Sequence, residues 1–352
     1  MIKKIEIAGR EIGPGCAPYV IAELSANHNG CLDTALKIID EAKKAGADAV
    51  KLQSYKPDTI TLDSREEEFM IRGGLWNGKS LYELYEEAHM PWEWHKVLFD
   101  HAKKIGITIF SSPFDFTAVD MLEELGTPAY KIASFEAVDI PLIEYVAKTG
   151  KPMIISTGMA DQAEIKDAID AAIGAGCKEL AVLHCVSGYP APAEDYNLRT
   201  LSDMESRFGL VTGLSDHTLD NTTAIVSVAM GASIIEKHFT LDRNGGGPDD
   251  SFSLEPLELK QLCEGAKTAW SALGSVDYGR KSSEKGNAQF RRSLYFVKNM
   301  AAGDVITEEC VRSVRPGFGL EPKYLKSIIG LRVCSNISVN TPVKRKHIEK
   351  WD

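Results

Sequence analysis

A barrel of eight parallel strands wrapped in eight helices, followed by a small second domain, is the fold class this sequence predicts. Three observations point to it. The chain has 352 residues, which suits a barrel of about 250 residues plus one accessory unit. Between residues 19 and 273 a short apolar run, a polar tip and a helical pattern recur eight times. No G-x-G-x-x-G is present, which argues against a doubly wound open sheet with its Gly-rich first turn.

The runs cover residues 19–24, 49–53, 107–111, 129–134, 152–157, 179–185, 210–215 and 233–238. Continuous apolar stretches flanked by helices read as parallel strands buried on both faces. The helical intervals are 32–45, 92–105, 115–125, 140–148, 161–175, 197–208, 221–231 and 256–273. In the first of them Leu32, Ala35, Leu36, Ile39 and Ala42 fall at helical spacing and Gly46 closes the helix. One interval is anomalous: residues 54–91, rich in Trp, Tyr, Glu and Gly, greatly exceed the usual βα loop. A loop of that length is expected at an active site.

Beyond residue 273 the pattern changes. Residues 275–290 are small, polar and aperiodic, as a linker would be, and residues 291–352 form the second domain after a barrel over 1–274. Strand-like pieces are expected at 293–297 and 330–333, with a turn at Arg315-Pro316-Gly317. Residues 291–352 carry 12 Lys and Arg against 6 Asp and Glu, a balance of +6, which leaves −16 for the rest of a chain whose net charge is −10.

A composition of 44% hydrophobic and 26% charged residues excludes wholesale disorder, and the acidic balance argues against nucleic-acid binding. The seven cysteines are scattered, with no Cys-x-x-Cys pair, which argues against a disulfide framework and a thiolate zinc site. The N-terminus, MIKKIEIAGREIGPG, lacks the apolar stretch of a signal peptide, and nowhere do 18 apolar residues run together. The expectation is a soluble cytoplasmic chain without membrane contact.

Catalytic residues of such barrels lie at the C-terminal ends of the strands, and here those ends are polar. His217 and His238 end the seventh and eighth runs, so their imidazoles can converge on one divalent cation, with Glu23 opposite. Two imidazoles with oxygen ligands suit Mn²⁺, Co²⁺ or Zn²⁺ better than Ca²⁺. Lys51 and Lys131 end the second and fourth runs, within a ring that holds Ser112, Ser134, Ser156 and Ser215. Lysines among hydroxyls make a cradle for phosphate or carboxylate. A Schiff-base lysine and simple pairing with inward carboxylates are the rival readings. The glycine-rich loop at 244–251, with Asp249 and Asp250, is a place for polyhydroxyl recognition or an ordinary exposed turn.

The segments AELSANHNG at 22–30, KLQ at 51–53, SSPFD at 111–115, KIASFE at 131–136, STGM at 156–159, GLSDHT at 213–218, EKHF at 236–239 and GGPDDSFS at 246–253 together resemble the sialic acid synthase family. RPGFGL at 315–320 resembles that family's C-terminal antifreeze-protein-like domain, a SAF domain of the β-clip type. AELSANHN, KIASFE and the aromatic stretch at 73–95 are closer to the pseudaminic acid branch than to the N-acetylneuraminic acid branch.

The resemblance implies condensation of phosphoenolpyruvate with an open-chain acetamido sugar to give a 2-keto acid and phosphate. In the pseudaminate branch the sugar is 2,4-diacetamido-2,4,6-trideoxy-L-altrose; N-acetylneuraminate and legionaminate synthases use other acetamido sugars. It implies that Lys51, Ser112, Lys131, Ser134, Ser156 and Ser215 hold phosphoenolpyruvate. His217 and His238 would bind the metal, Mn²⁺ foremost, with Co²⁺ or Mg²⁺ as alternatives. Glu23, Gln53, Glu136, Tyr189 and Asp249 would surround metal, water and sugar, with Glu23 or Glu136 as base. Ser187 stands where sialate synthases have an asparagine near the phosphate. Arg315 matches an arginine that one subunit inserts into the barrel of its partner, which implies a domain-swapped homodimer.

Overall fold

A computed structural model describes residues 4–351. The chain divides into two compact units, one ending at Gly274 and one beginning at Ser275.

The first unit opens with a hairpin, β1 (Ile5–Ile7) and β2 (Arg10–Ile12), paired antiparallel with Ile5 opposite Ile12. Its turn uses Ala8 and Gly9, both at positive φ, the geometry that matches the twist of two-residue hairpins. Eight parallel strands then close a barrel: β3 (Tyr19–Glu23), β4 (Ala49–Ser54), β5 (Thr108–Pro113), β6 (Tyr130–Ile132), β7 (Met153–Ser156), β8 (Leu180–Cys185), β9 (Val211–Asp216) and β10 (Ile234–His238). Closure runs through β10 and β3, with Ile234 beside Tyr19 and His238 beside Glu23.

Helices α1 (Leu32–Ala45), α4 (Trp94–Ile105), α5 (Phe116–Glu124), α6 (Ile140–Ala147), α7 (Gln162–Gly174), α8 (Thr200–Phe208), α9 (Thr222–Ala229) and α10 (Pro256–Leu273) follow the barrel strands. Their ends obey local chemistry. Asp115, Asp139 and Asp161 accept N-terminal amides of α5, α6 and α7, while Gly46 and Gly106 take left-handed φ to end α1 and α4.

Strand periodicity divides the core in two. Outward residues such as Val50, Leu52, Ile155 and Val182 pack on the helices. Inward residues Tyr19, Ile21, Ala49, Phe110, Ala129, Ile154, Ala181, Leu183, Val211 and Ile234 fill the lower barrel. Ile5, Ile7 and Ile12 of the hairpin join that inner cluster and stopper the end where the strands begin. The Glu6 amide fastens the hairpin by donating to the Glu179 carboxylate at 2.8 Å.

The long segment after β4 carries α2 (Pro57–Ile60) and α3 (Leu81–Ala88). Ser80 and Glu83 form a reciprocal capping box at the start of α3.

The second unit pairs β11 (Ser293–Phe296) with β12 (Val311–Val314), includes the short α11 (Leu325–Ile328), and has its own core around Leu294, Phe296, Val311 and Val343. Two sequence expectations need correction there. The piece at 330–333 is not a strand: Arg332 and Val333 each make one isolated bridge, and Gly330 turns at φ 89° just before them. The partner of β11 is instead Val311–Val314, whose central Arg312 and Ser313 hide the strand from a search for apolar runs. Within 275–290, residues Ser282–Phe290 form a 3₁₀ run with no buried residue. Among the described residues no helix is long and apolar enough to cross a membrane.

Candidate active site

Above the apolar lower barrel the inward positions become polar. Lys51 and Gln53 occur at i and i+2 on β4, as do Glu236 and His238 on β10, so both members of each pair face the interior. Lys51 Nζ lies 2.7 Å from Glu23 Oε2 and 3.5 Å from Glu236 Oε1, and donates to Ser112 Oγ at 3.2 Å. Lys131 Nζ is 3.7 Å from Glu236 Oε1 and donates only to the carbonyl of Ile132, at 3.2 Å. Ser215 Oγ donates to Glu236 Oε1 at 3.3 Å.

All four charged groups are buried, and their environments differ. Burial works to lower the pKa of Lys51, but Glu23 and Glu236 outweigh it and hold that ammonium above its ordinary value. For Lys131 burial dominates and the pKa falls, because its one neighbouring carboxylate is more distant. Ser156 Oγ, Ser187 Oγ and Glu236 Oε2 are buried without a hydrogen-bond partner. A buried polar atom left unpaired is costly, so this cluster is built to meet a ligand.

Next to the cradle stand the histidines, their ring centroids 5.4 Å apart. His217 Nδ1 donates to the carbonyl of Val186 at 2.8 Å, which leaves Nε2 as the nitrogen available to a metal. His238 is buried and its Nδ1 has no partner. Burial, with the positive charges of His217, Lys51, Lys237 and Lys131, pushes its pKa well down and keeps the imidazole neutral. A neutral His238 with an orphaned ring nitrogen stands beside His217, whose pKa is raised, against its burial, by Cys185 and the Val186 carbonyl and whose proton a cation would displace. The pair fits a divalent transition metal completed by water and substrate oxygen. Among the described residues no third His, Cys, Asp or Glu completes a protein-only set. Glu23 faces Lys51 and accepts from Gln53 Nε2 at 3.0 Å; the carboxylate nearest His238 is that of Asp249, at 3.9 Å. Asp249 also accepts from Ser25 Oγ.

A cavity of about 500 Å³ opens beside these groups. Gln53, Ser134, Glu136, Ser187, Tyr189, His238 and Asp249 line one side of it. Tyr189 lies over His217 with ring centroids 4.4 Å apart. Gly158 donates its amide to Ser134 Oγ at 3.1 Å, and a Cβ at that position would collide with Ser187 Oγ. Burial pushes the Glu136 carboxyl up to about 7, and its Oε2 has no partner. The other side of the cavity comes from the segment after β4: Ile60, Ile71, Leu81, Leu84, Tyr85 and Trp76, whose Nε1 donates to the carbonyl of Pro248 at 3.1 Å. A cleft of about 610 Å³ at the stoppered end has Glu205 as its one charged lining group and offers an anion nothing.

The structure thus brings the barrel residues assigned to the site together in one mouth; Asp250 is not among them, since its carboxylate accepts from Thr240, Asn29 and the Gly247 amide. Arg315 belongs to the second unit, where it is exposed beyond β12. Two groups escaped assignment. Glu236 sits between both lysines, and its place two residues before His238 was the available signal. Cys185, with Sγ 3.9 Å from His217 Nδ1, ends a strand as an ordinary apolar position would.

Comparison with known proteins agrees with this geometry. Residues 38–278 match the NeuB family and residues 291–349 match the SAF domain. The chain is 42% identical over 335 residues to a pseudaminic acid synthase of Helicobacter pylori, covering 95% of this chain and 98% of that one. It is 43% identical over 326 residues to a pseudaminic acid synthase of Campylobacter jejuni, covering 93% and 95%. A crystal structure of N-acetylneuraminic acid synthetase from Leptospira borgpetersenii, in complex with citrate, superposes with a TM-score of 0.73 at 32% identity, over 83% of this chain and 97% of that one. The barrel, its polar mouth and these matches lead to one conclusion: the chain belongs to the NeuB family of sialic-type acid synthases and carries a C-terminal SAF domain.

Proposed function

We propose that this enzyme condenses phosphoenolpyruvate with 2,4-diacetamido-2,4,6-trideoxy-L-altrose to give pseudaminic acid and phosphate, with a divalent metal, Mn²⁺ foremost, held by His217 and His238. The observation that carries this reading is the pairing of an under-satisfied lysine and serine cradle with a sugar-sized cavity, in a chain 42% identical to a named pseudaminic acid synthase.

Lys51 and Lys131, with Ser112, Ser134, Ser156 and Ser215, bind the phosphate and carboxylate of phosphoenolpyruvate and fix its enol carbon toward the cavity. Gln53, Tyr189 and Asp249 orient the open-chain sugar. When bound, the metal supplies Lewis-acid polarisation of the aldehyde oxygen. The enol carbon bonds to the aldehyde carbon and the aldehyde oxygen takes up a proton. Glu136 can give that proton, since its carboxyl is poised at about 7. Water then adds to the cationic C2 carbon and loses a proton to a neighbouring carboxylate, Glu23 or Glu136. The C–O bond to phosphate breaks last, as the C2 hydroxyl becomes the keto group and its proton passes to the departing phosphate, which the lysines hold.

The test is mass spectrometry of the product formed from phosphoenolpyruvate and the trideoxy altrose, run beside N-acetylmannosamine, with phosphate release as the rate. The expected product is the nine-carbon pseudaminic acid. Chelation with EDTA is expected to abolish turnover and added Mn²⁺ to restore it; activity that survives metal removal overturns the metal assignment.

A further inference from the structure

The cavity has two chemically distinct halves. Its ionisable groups Glu136, His238 and Asp249 come from the strand ends and the loops beyond them, whereas Ile60, Ile71, Leu81 and Leu84 come from the segment that follows β4. Leu84 is buried and the other three are partly buried. Of the polar groups this segment brings to the cavity, Trp76 Nε1 is bonded to the carbonyl of Pro248, and Tyr55 and Tyr85 carry the others. Ile60, Ile71, Leu81 and Leu84 form an aliphatic wall whose side chains offer no hydrogen bond.

A sugar aldehyde whose carbonyl is presented to the strand tips has its far end carried toward that wall. A hydroxyl pressed against it gives up water without a replacement partner, whereas a methyl gains apolar contact. We propose that Ile60, Ile71, Leu81 and Leu84 are specificity-determining residues that select a sugar whose end remote from the aldehyde is deoxygenated, a methyl in place of a hydroxymethyl. The inference rests on the synthase function above and deepens it, since it assigns the choice of sugar to this wall and not to the catalytic tips.

The experiment compares kcat/KM, from phosphate release, for two acetamido sugar aldehydes that differ only in a terminal methyl or hydroxymethyl. Apolar pockets reject an added hydroxyl modestly, so the wild-type chain is expected to prefer the deoxy sugar by about 10- to 100-fold. Ile71→Thr and Leu84→Asn are expected to cut that preference at least about fivefold, mainly through the sugar KM, with the KM for phosphoenolpyruvate unchanged. Leu84→Met, which keeps the wall apolar, retains the preference. If Leu84→Asn does not fold, Ile71→Thr at its partly exposed position decides the outcome. Equal wild-type rates on the two sugars, or a preference that neither polar variant alters, overturns the inference and leaves the synthase function standing. A wild-type chain inert toward both sugars overturns the function itself, and this inference with it.

Discussion

Two buried lysine clusters face opposite sides of the barrel wall, and β10 contributes to both, Lys237 to the outer and Glu236 to the inner. Lys237 points outward, where its ammonium meets Asp216 at 2.9 Å and the carbonyls of Thr218 and Asp220 at 2.7 and 2.8 Å. Its three donors have three acceptors, and the cluster is complete. Lys131, equally buried and turned inward, finds one carbonyl at 3.2 Å and one carboxylate at 3.7 Å. The same residue type is thus structural on one face and held ready for a ligand on the other. Saturation of donors distinguishes them; burial does not.

Removing each lysine in turn gives the sharpest test of that difference. Lys131→Met is expected to lower kcat/KM for phosphoenolpyruvate by about 10³-fold, roughly 4 kcal/mol of transition-state stabilisation, with Tm held or raised. An incompletely paired buried charge is well replaced by an apolar side chain. Lys237→Met is expected to cost about 3–4 kcal/mol of stability in denaturant melts, because Asp216 is left buried without its cation, while the KM for phosphoenolpyruvate stays near the wild-type value. If the two variants exchanged these phenotypes, the division between inner and outer faces would be wrong.

Glu136 extends the contrast to a carboxyl, with an unpaired oxygen and a pKa pushed by burial from 4.5 up to about 7. The folded protein holds this proton more tightly than the unfolded chain does. The contribution of Glu136 to stability is therefore expected to be fullest below about pH 4.5 and to be lost as pH rises through about 7, a loss on the order of 3 kcal/mol. Glu136→Gln is expected to flatten that part of the stability profile and to remove a limb near pH 7 from kcat/KM. The smallest effect belongs to a group that is satisfied. Trp76→Phe removes the bond to Pro248 and is expected to raise the sugar KM by about three- to tenfold, about 1 kcal/mol, with kcat little changed.

The barrel strands were legible because apolar runs between amphipathic helices have few other uses. The tips were legible because lysine, serine and histidine at the ends of such runs must meet something. Glu23 shows where this stops: its position was clear, but its partner depends on the register of β3 against β4, which sets Glu23 beside Lys51. The apolar wall could not be read, since Ile71 and Leu84 face the cavity only through the path of the chain from β4 to α4. The hairpin escaped for another reason. Two strands of three residues carry too little periodicity to announce themselves, and their burial comes from docking under the barrel.

That hairpin sets the order of traffic. With one end of the barrel stoppered by Ile5, Ile7 and Ile12, the reaction chamber is a blind well with a single opening. The lysine cradle lies toward its floor and the sugar cavity at its rim. Whatever occupies the floor must arrive before the rim is filled, and it cannot leave until the rim is clear. Under the proposed function, phosphoenolpyruvate is expected to enter ahead of the sugar, and phosphate to leave after the acid above it, an order that product-inhibition kinetics would check.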